Sequence, residues 1–329
     1  MTAIGPVDVV IPTLGRPSLA ALLVALGDIA GRVIVVDDRR DPSKPLALPA
    51  GTVVVRGRAA GPAAARNDGW RAARTSWIAF LDDDVLPPPG WYDALLADLA
   101  ACGPEVAGSQ GRIVVPLPRA RRPTDWERNV AGLERARWAT ADLAYRRASL
   151  EEVGGFDERF PRAYREDADL GLRVVAAGCR IVPGHRQVLH PVRPADRWVS
   201  VRLQRGNADD PLMWALHGLG WRERAGVPPG RRPAHLASTA AGLTGLAALV
   251  AGHRRLAVAG GLGYLGGAAE LAWRRIAPGP RTPAELATMA VTSAVLPAAA
   301  SWWYLVGWLG LPRRLAAGRS TVAEPVATP

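Results

Sequence analysis

Residues 79–91 read AFLDDDVLPPPGW, and the fold is decided there. An apolar run ends in three adjacent carboxylates, and each neighbouring pair of such charges repels by about 1 kcal/mol in water at about 4 Å, more where water is scarce. Something must offset that repulsion, and a bound cation is the expected agent. In an extended chain side chains alternate, so Asp82 and Asp84 share a face while Asp83 points away as a bystander. Two carboxylates on one face suit a hard divalent cation, Mg²⁺ or Mn²⁺, which can in turn hold phosphate oxygens. A strand-end turn with a helix-capping Asp accounts for one of the three, and less readily for all.

Working outward, short β-branched runs alternate with Ala- and Leu-rich stretches. VDVVIPT at 7–13 precedes a helical stretch at 18–27; RVIVVDD at 32–38 and TVVVRG at 52–57 precede another at 62–74. Continuous apolar strands separated by helices predict an α/β chain with a Rossmann-type, mostly parallel sheet covered on both faces. In such open sheets ligands bind beyond the carboxyl ends of the strands. The polar ends Pro12 and Thr13, Asp37 and Asp38, and the acidic triplet are therefore expected to meet in one crevice. Downstream come a helix over 90–99, the strand VAGSQGRIVV at 106–115, a loop over 116–123, and a helix over REDADLGLRVVAAG at 165–178.

The chain has 329 residues, 49% of them hydrophobic, enough for one large domain or two ordinary ones. Its formal net charge of +11 is carried almost wholly by arginine, Lys44 being the only lysine. With Ala, Gly and Pro so abundant, this matches a high-GC coding bias, and no nucleic-acid partner is expected. Arginine pairs at 231–232, 254–255, 274–275 and 313–314 flank apolar segments, where anionic lipid headgroups are the fitting counter-charge. Cys102 and Cys179 form no CxxC pair, so neither a disulfide framework nor a zinc site is indicated. The N-terminal segment lacks the basic region of a signal peptide, and the first domain reads as reduced and cytoplasmic.

The character changes late in the chain. Residues 1–225 read as a catalytic domain, and 226–329 as an apolar helical, membrane-associated region with a disordered tail. Apolar stretches occupy 236–252, 256–271 and 286–310. The third is long enough for the roughly 20 residues a membrane span needs, and it ends in aromatic residues suited to the interface. The first two are short and rich in Gly and Ala, which fits a tightly packed hairpin or the buried helices of a soluble tail.

Several residues carry two readings. Asp38 can receive a ribose hydroxyl or a base N–H, or open a turn. Gly61 and Pro62 start a helix whose free N–H groups, with Arg66, can face an anion or simply begin the helix. Glu166 and Asp167 sit where a helix dipole favours acids, and where a general base beside an acceptor would also sit. His190 follows a strand as a structural group or a ligand, and Arg205 lies in a Gly-containing bend that clamps a phosphate or leads into a helix.

Taken in order, the segments DVVIPTLGRP, VIVVDD, GPAAARNDGWRAARTSWIAFLDDDVLPPPGW and ATADLAYRRASLEEVGGFDERFPRAYREDADLGLR, with QRGNADDPLMWALHG, resemble family 2 glycosyltransferases of the GT-A fold. The resemblance runs over residues 7–218. It implies an inverting transferase that uses a nucleotide-diphosphate sugar donor and a divalent metal. Pro12, Thr13 and Asp38 would line the nucleoside pocket, with Arg66 and Arg205 near the nucleotide. Asp82 and Asp84 match the family's Asp-x-Asp element for ribose and metal, with Asp83 alongside. Asp167 matches the catalytic base, Glu166 being the other choice, and His190 matches a position that completes the metal site in some members. The Gln-x-x-Arg-Trp signature of processive synthases is absent, so transfer of a single sugar is expected, to a lipid-linked or glycan acceptor of the cell envelope. The expected location is the cell membrane, with the catalytic domain facing the cytoplasm. A nucleotidyltransferase, or a non-catalytic sugar-nucleotide binding protein, is the alternative. IPTLGRP lacks the Gly-rich basic loop that the former would show.

Overall fold

The structure is a computed structural model that describes residues 4–318. One sheet contains β1 (Asp8–Thr13), β2 (Val33–Asp37), β3 (Val53–Arg56), β4 (Trp77–Leu81), β5 (Val106–Val114), β6 (Asp142–Arg146) and β7 (Arg180–Leu189). Their spatial order is β3-β2-β1-β4-β6-β5-β7. β3, β2, β1 and β4 pair in parallel, β7 pairs in parallel with β5, and β6 runs antiparallel to both β4 and β5. The mostly parallel α/β sheet expected from the sequence is present. The reversed strand matters for the site, because the pairing of Leu81 with Asp142 delivers the start of β6 to the edge where β4 ends.

Both faces are covered. Val9 and Ile11 of β1 pack with Leu19 and Leu22 of α1 (Ser18–Leu26) and Leu95 of α3 (Trp91–Ala100), whereas Val10 packs with Ala63 and Ala65 of α2 (Pro62–Ala72) and Leu170 of α6 (Glu166–Ala176). These β1 side chains are fully buried, a stabilisation of about 1.5–3 kcal/mol for each. Between β5 and β6 lies α4 (Asp125–Ala131), and α5 (Arg147–Val153) follows β6. The sequence reading did not anticipate α4. Its start is fixed by a capping box, in which Thr124 Oγ1 accepts from the Glu127 amide and the Glu127 carboxylate accepts from the Thr124 amide.

The C-terminal part contains α7 (Val199–Arg202), α8 (Asp210–His217), α9 (Trp221–Arg224), α10 (Arg232–Val250), α11 (Arg254–Ile276) and α12 (Pro283–Ala316). Helices α10 and α11 form the tightly packed hairpin, one of the two forms expected. A Cβ placed on Gly260 would lie 2.5 Å from the Cα of Gly245, so only a hydrogen fits between the two backbones. Gly260→Leu is expected to force the helices apart and destabilise the hairpin by roughly 1–3 kcal/mol, read as earlier thermal loss of helical signal. An unchanged melting profile would show that this contact is not tight.

Contacts run across the boundary expected after residue 225. Gly307 of α12 lies against Ala208, where a Cβ would come 2.5 Å from the carbonyl oxygen, and Leu311 joins the core of the first domain. Arg314 donates to Asp209 Oδ1 at 2.7 Å and to the Ala208 carbonyl at 2.8 Å. Near the other end of α12, buried Arg275 donates to Asp125 Oδ2 and Thr292 Oγ1, both at 2.8 Å, and to Ser200 Oγ at 2.9 Å. The Arg275–Asp125 ion pair fastens α11 to α4, the Arg275 hydrogen bond to Ser200 reaches α7, and the Arg314–Asp209 pair fastens α12 to the residue before α8. The expected disordered tail lies outside the described residues, which end at 318.

By length and composition α10 and α12 can each cross a membrane; 11% of the apolar window of α10 is buried, against 33% for α12. Leu243, Leu246 and Leu249 on α10, with Leu262 and Leu265 on α11, are all largely exposed. An apolar surface of this kind is uncommon on a protein surrounded by water.

Candidate active site

The three polar strand ends do meet. The Asp38 amide donates to the Thr13 carbonyl at 2.9 Å, and Thr13 Oγ1 donates to Asp83 Oδ2 at 2.6 Å. Pro12, half-buried, is aligned with Val36 of β2 at the same edge. The cause is the register: β1 lies between β2 and β4, and all three run the same way.

Two expectations about the triplet need correction. Its repulsion does not wait for a cation, because each carboxylate has its own arginine. Arg66 donates to Asp82 Oδ1 at 2.8 Å, Arg16 donates to Asp83 Oδ1 at 2.6 Å, and Arg193 Nε lies 2.8 Å from Asp84 Oδ2. Nor is Asp83 a bystander. It is 1% exposed and fastens Thr13 and Arg16 to the end of β4. Strand alternation fails because β4 stops at Leu81; the triplet is a turn, in which the Val85 amide donates to the Asp82 carbonyl at 3.3 Å.

The pair ending β2 divides its work. Asp37 is held by Arg39, whose hydrogen bonds at 2.7–2.8 Å keep its carboxyl below the usual range. Asp38 is different: Oδ2 accepts from the Gly61 amide at 3.1 Å, while Oδ1 is buried without a hydrogen-bond partner. Burial pushes this carboxyl up. Gly61 has a φ of +100°, and a Cβ there would lie 2.4 Å from the Pro161 carbonyl oxygen, so glycine alone fits where α2 begins.

Arg66 is the hub. Its side chain is buried, and besides Asp82 it donates to Glu166 Oε1 at 2.9 Å and lies 3.5 Å from Asp167 Oδ1. Burial alone would lower the guanidinium pKa, but the charges of Asp167, Asp82 and Glu166 outweigh it and hold the group protonated. Asp167 accepts from both the amide and the hydroxyl of Thr140 at 3.0 Å, and its side chain is 25% exposed. The side chain of Glu166 is only 3% exposed. Burial raises both carboxyls, and with the adjacent Asp167 charge it pushes Glu166 up to about 8. Thr140, Arg16 and Arg193 were not picked out from the sequence. Thr140 had a signal, since it lies within WATADL just before a strand, but only the reversal of β6 brings it to this edge.

A pH effect follows for Glu166. Its folded value of about 8 lies above the ordinary 4.5 of an unfolded glutamate. The stability it contributes is therefore full below about 4.5 and is lost as the pH rises toward 8. Glu166→Gln, neutral throughout, should flatten the decline in melting temperature between pH 5 and pH 8. A decline as steep as in the parent would contradict this.

Of the candidate metal ligands, Asp84 and His190 are together: Nε2 lies 3.5 Å from Asp84 Oδ1, brought there by the bridge between Leu86 and Leu189. His190 Nδ1 is buried and unpartnered, and burial, then the charge of Asp82, raises the Asp84 carboxyl. Asp82 points instead to Arg66. Among the described residues no group of three or more His, Cys, Asp or Glu side chains is gathered closely enough to hold a metal. Two protein ligands suffice for a cation that completes its shell with diphosphate oxygens and water, so the Asp84 and His190 pair fits that use. Arg205 does not join this site. It is exposed and stacks over Trp303 of α12, 5.6 Å from the ring centroid.

Residues 8–168 match the family described as glycosyl transferase family 2. The pre-mycofactocin glycosyltransferase of Mycobacterium tuberculosis is 32% identical over 167 residues, 46% of this chain and 35% of that protein. The O-antigen biosynthesis protein RfbC of Myxococcus xanthus is 28% identical over 175 residues, 41% of this chain and 13% of that one. The chain thus spans well under half the length of the curated relatives it matches. Among solved structures, GalNAc-T7 with UDP, GalNAc and Mn²⁺ is 17% identical, covering 69% of this chain and 55% of that one, with a TM-score of 0.48. Glucosyl-3-phosphoglycerate synthase from Mycobacterium tuberculosis, in complex with Mn²⁺, UDP-glucose and phosphoglyceric acid, is 18% identical over 69% of this chain and 81% of that one, with a TM-score of 0.44. The matched segment begins at β1 and ends one residue beyond Asp167, so it contains the acidic triplet, Asp38, Arg66 and the paired carboxylates, and over this segment, just under half of its length, the chain is similar to glycosyltransferase family 2.

Proposed function

We propose that the chain is an inverting glycosyltransferase that moves one sugar from a nucleotide-diphosphate sugar to a hydroxyl of a lipid-linked or cell-envelope acceptor. The observation that carries this reading is the Arg66 hub, which joins a carboxylate at the end of β4 to a partly exposed carboxylate at the start of α6. A donor and an acceptor need such neighbouring but distinct groups. The names of the curated relatives support glycosyl transfer, and that of RfbC supports an envelope product.

Asp38 Oδ1, a buried acceptor without a partner, is suited to a base N–H of the nucleotide. Asp82 receives the ribose once it turns from Arg66, and the N-terminus of α2 lies beside Asp38, whose Oδ2 accepts from the Gly61 amide. Asp84 and His190, with Asp82, would hold Mg²⁺ or Mn²⁺, which neutralises the departing diphosphate when bound. Arg193, with its side chain 46% exposed, can swing off Asp84 to make room. Asp167 is the general base. It accepts the proton of the acceptor hydroxyl as that oxygen bonds the anomeric carbon, while the bond to the diphosphate breaks on the opposite face. Thr140 fixes the carboxylate's orientation, and buried Glu166, kept largely protonated at neutral pH, leaves the Arg66 charge to Asp167 once Asp82 has turned to the donor.

The membrane, reached through α10 and α12, is the proposed location, with the catalytic domain on the cytoplasmic side. Asp84→Ala is expected to lower metal-dependent hydrolysis or transfer of a nucleotide sugar by at least about 100-fold. It is measured across a panel of nucleotide sugars with Mn²⁺ or Mg²⁺. Parent-level turnover in that variant would remove Asp84 from the metal site.

A further inference from the structure

A charged cavity lies outside the acidic cluster. It measures about 220 Å³ and forms where the loop ahead of α6 meets α8, α9, α10 and α12. Arg165, Arg222, Arg231 and Arg232 line it, and Asp210 is its one acidic lining residue. Arg165 Nε donates to Asp210 Oδ1 at 2.9 Å, and Arg222 and Arg232 both donate to Oδ2. Arg231 pairs with Glu270 of α11. Three guanidinium groups thus share one buried carboxylate, more positive charge than it can balance. Burial, and then Arg165 and Arg232, push the Arg222 guanidinium below its ordinary value in spite of Asp210. The Nε atoms of Arg231 and Arg232 are buried without a hydrogen-bond partner.

A purely structural ion cluster needs one arginine for Asp210, not three, and would not leave the Nε donors of Arg231 and Arg232 unused. Guanidinium groups in this number and spacing suit the oxygens of a phosphate, to which they donate charge-assisted hydrogen bonds. The remaining walls are apolar, with Val227, Pro228, Leu236 and Ala300, and they continue into the exposed apolar faces of α10 and α12. The cavity therefore offers a charged end and an oily end. It also adjoins the reaction centre along the chain: Arg165, two residues before Asp167, is held at a φ of +81° by Asp210 and by stacking over the Tyr164 and Trp221 rings.

We propose that this cavity binds the phosphate of an acceptor carried on an apolar chain, so that the lipid end rests along α10 and α12 and the transferable end lies beside the loop bearing Asp167. The word acceptor rests on the function proposed above; the phosphate site itself does not.

The test uses the full chain in detergent micelles and three probes: farnesyl phosphate, farnesol and inorganic phosphate. Farnesyl phosphate is expected to bind at least about tenfold more tightly than either of the others, the advantage of charge-assisted hydrogen bonds added to apolar burial. Arg231→Gln and Arg222→Gln should each weaken farnesyl phosphate by about tenfold and leave farnesol unchanged. Arg231→Gln is the safer variant, because it leaves the ion pairs of Asp210 in place. Arg180→Gln, an exposed position at the start of β7, serves as the control and should bind as the parent does. Equal binding of farnesol and farnesyl phosphate, or parent-like affinity in both variants, overturns the site. Inorganic phosphate binding as tightly as farnesyl phosphate overturns the lipid. Nucleotide-sugar binding measured on the same samples separates the two levels: its absence from every form would count against the glycosyltransferase reading and leave the farnesyl phosphate result standing.

Discussion

Asp167→Asn is expected to lower sugar transfer by a factor of about 10²–10⁴, the usual contribution of a positioned general base. Donor binding should stay within about twofold of the parent. The amide keeps the shape of the carboxylate and can still accept from Thr140, whose amide and hydroxyl hold the side chain at 3.0 Å, so the loss would report the missing proton acceptor. Glu166→Gln separates the two candidates. Glu166 is buried and donates its function to the Arg66 hub, so its amide variant should retain most of the transfer rate. The reverse pattern, a dead Glu166→Gln and an active Asp167→Asn, would make Glu166 the base.

Arg66→Ala is expected to be the most damaging substitution for stability, at about 3–5 kcal/mol by chemical denaturation at neutral pH. Its removal leaves the charges of Asp82 and Asp167, beside the buried Glu166 carboxyl, with no counter-charge at the centre. The sign of the pH dependence is part of the prediction. Since burial already raises Glu166 and Asp167, loss of Arg66 raises them further; acid then neutralises them, and the difference from the parent should shrink as the pH falls. A loss below about 1 kcal/mol, or one that grows in acid, would show that Arg66 is not what balances the cluster.

The α/β sheet and its acidic edge were legible because both follow from local rules. Apolar β-branched runs between helices dictate a parallel sheet, and the parallel register of β2, β1 and β4 gathers Thr13, Asp38 and the triplet at one edge. What the sequence concealed were partners distant along the chain. Asp83 was misjudged because alternation was carried through Asp84, three residues beyond the end of β4. Arg16 and Arg193 lie 67 and 109 positions from the carboxylates they neutralise, with nothing in their neighbours to mark them. Thr140 reaches Asp167 only because β6 reverses direction, and no local pattern announces a reversal in an otherwise parallel sheet. The helix α4 could have been found, since Thr124 and Glu127 stand at capping-box spacing. Arg205 was placed by its motif alone, and the docking of α12 carries it to Trp303 instead.

The central claim is that one base, Asp167, drives a single displacement at the anomeric carbon. Proton NMR of the first-formed product, from a nucleotide sugar of known anomeric configuration, tests it most directly. The account predicts a product of the opposite configuration, with that signal absent in Asp167→Asn. A product that keeps the donor's configuration, or an inverted product formed at parent rate by Asp167→Asn, would contradict it.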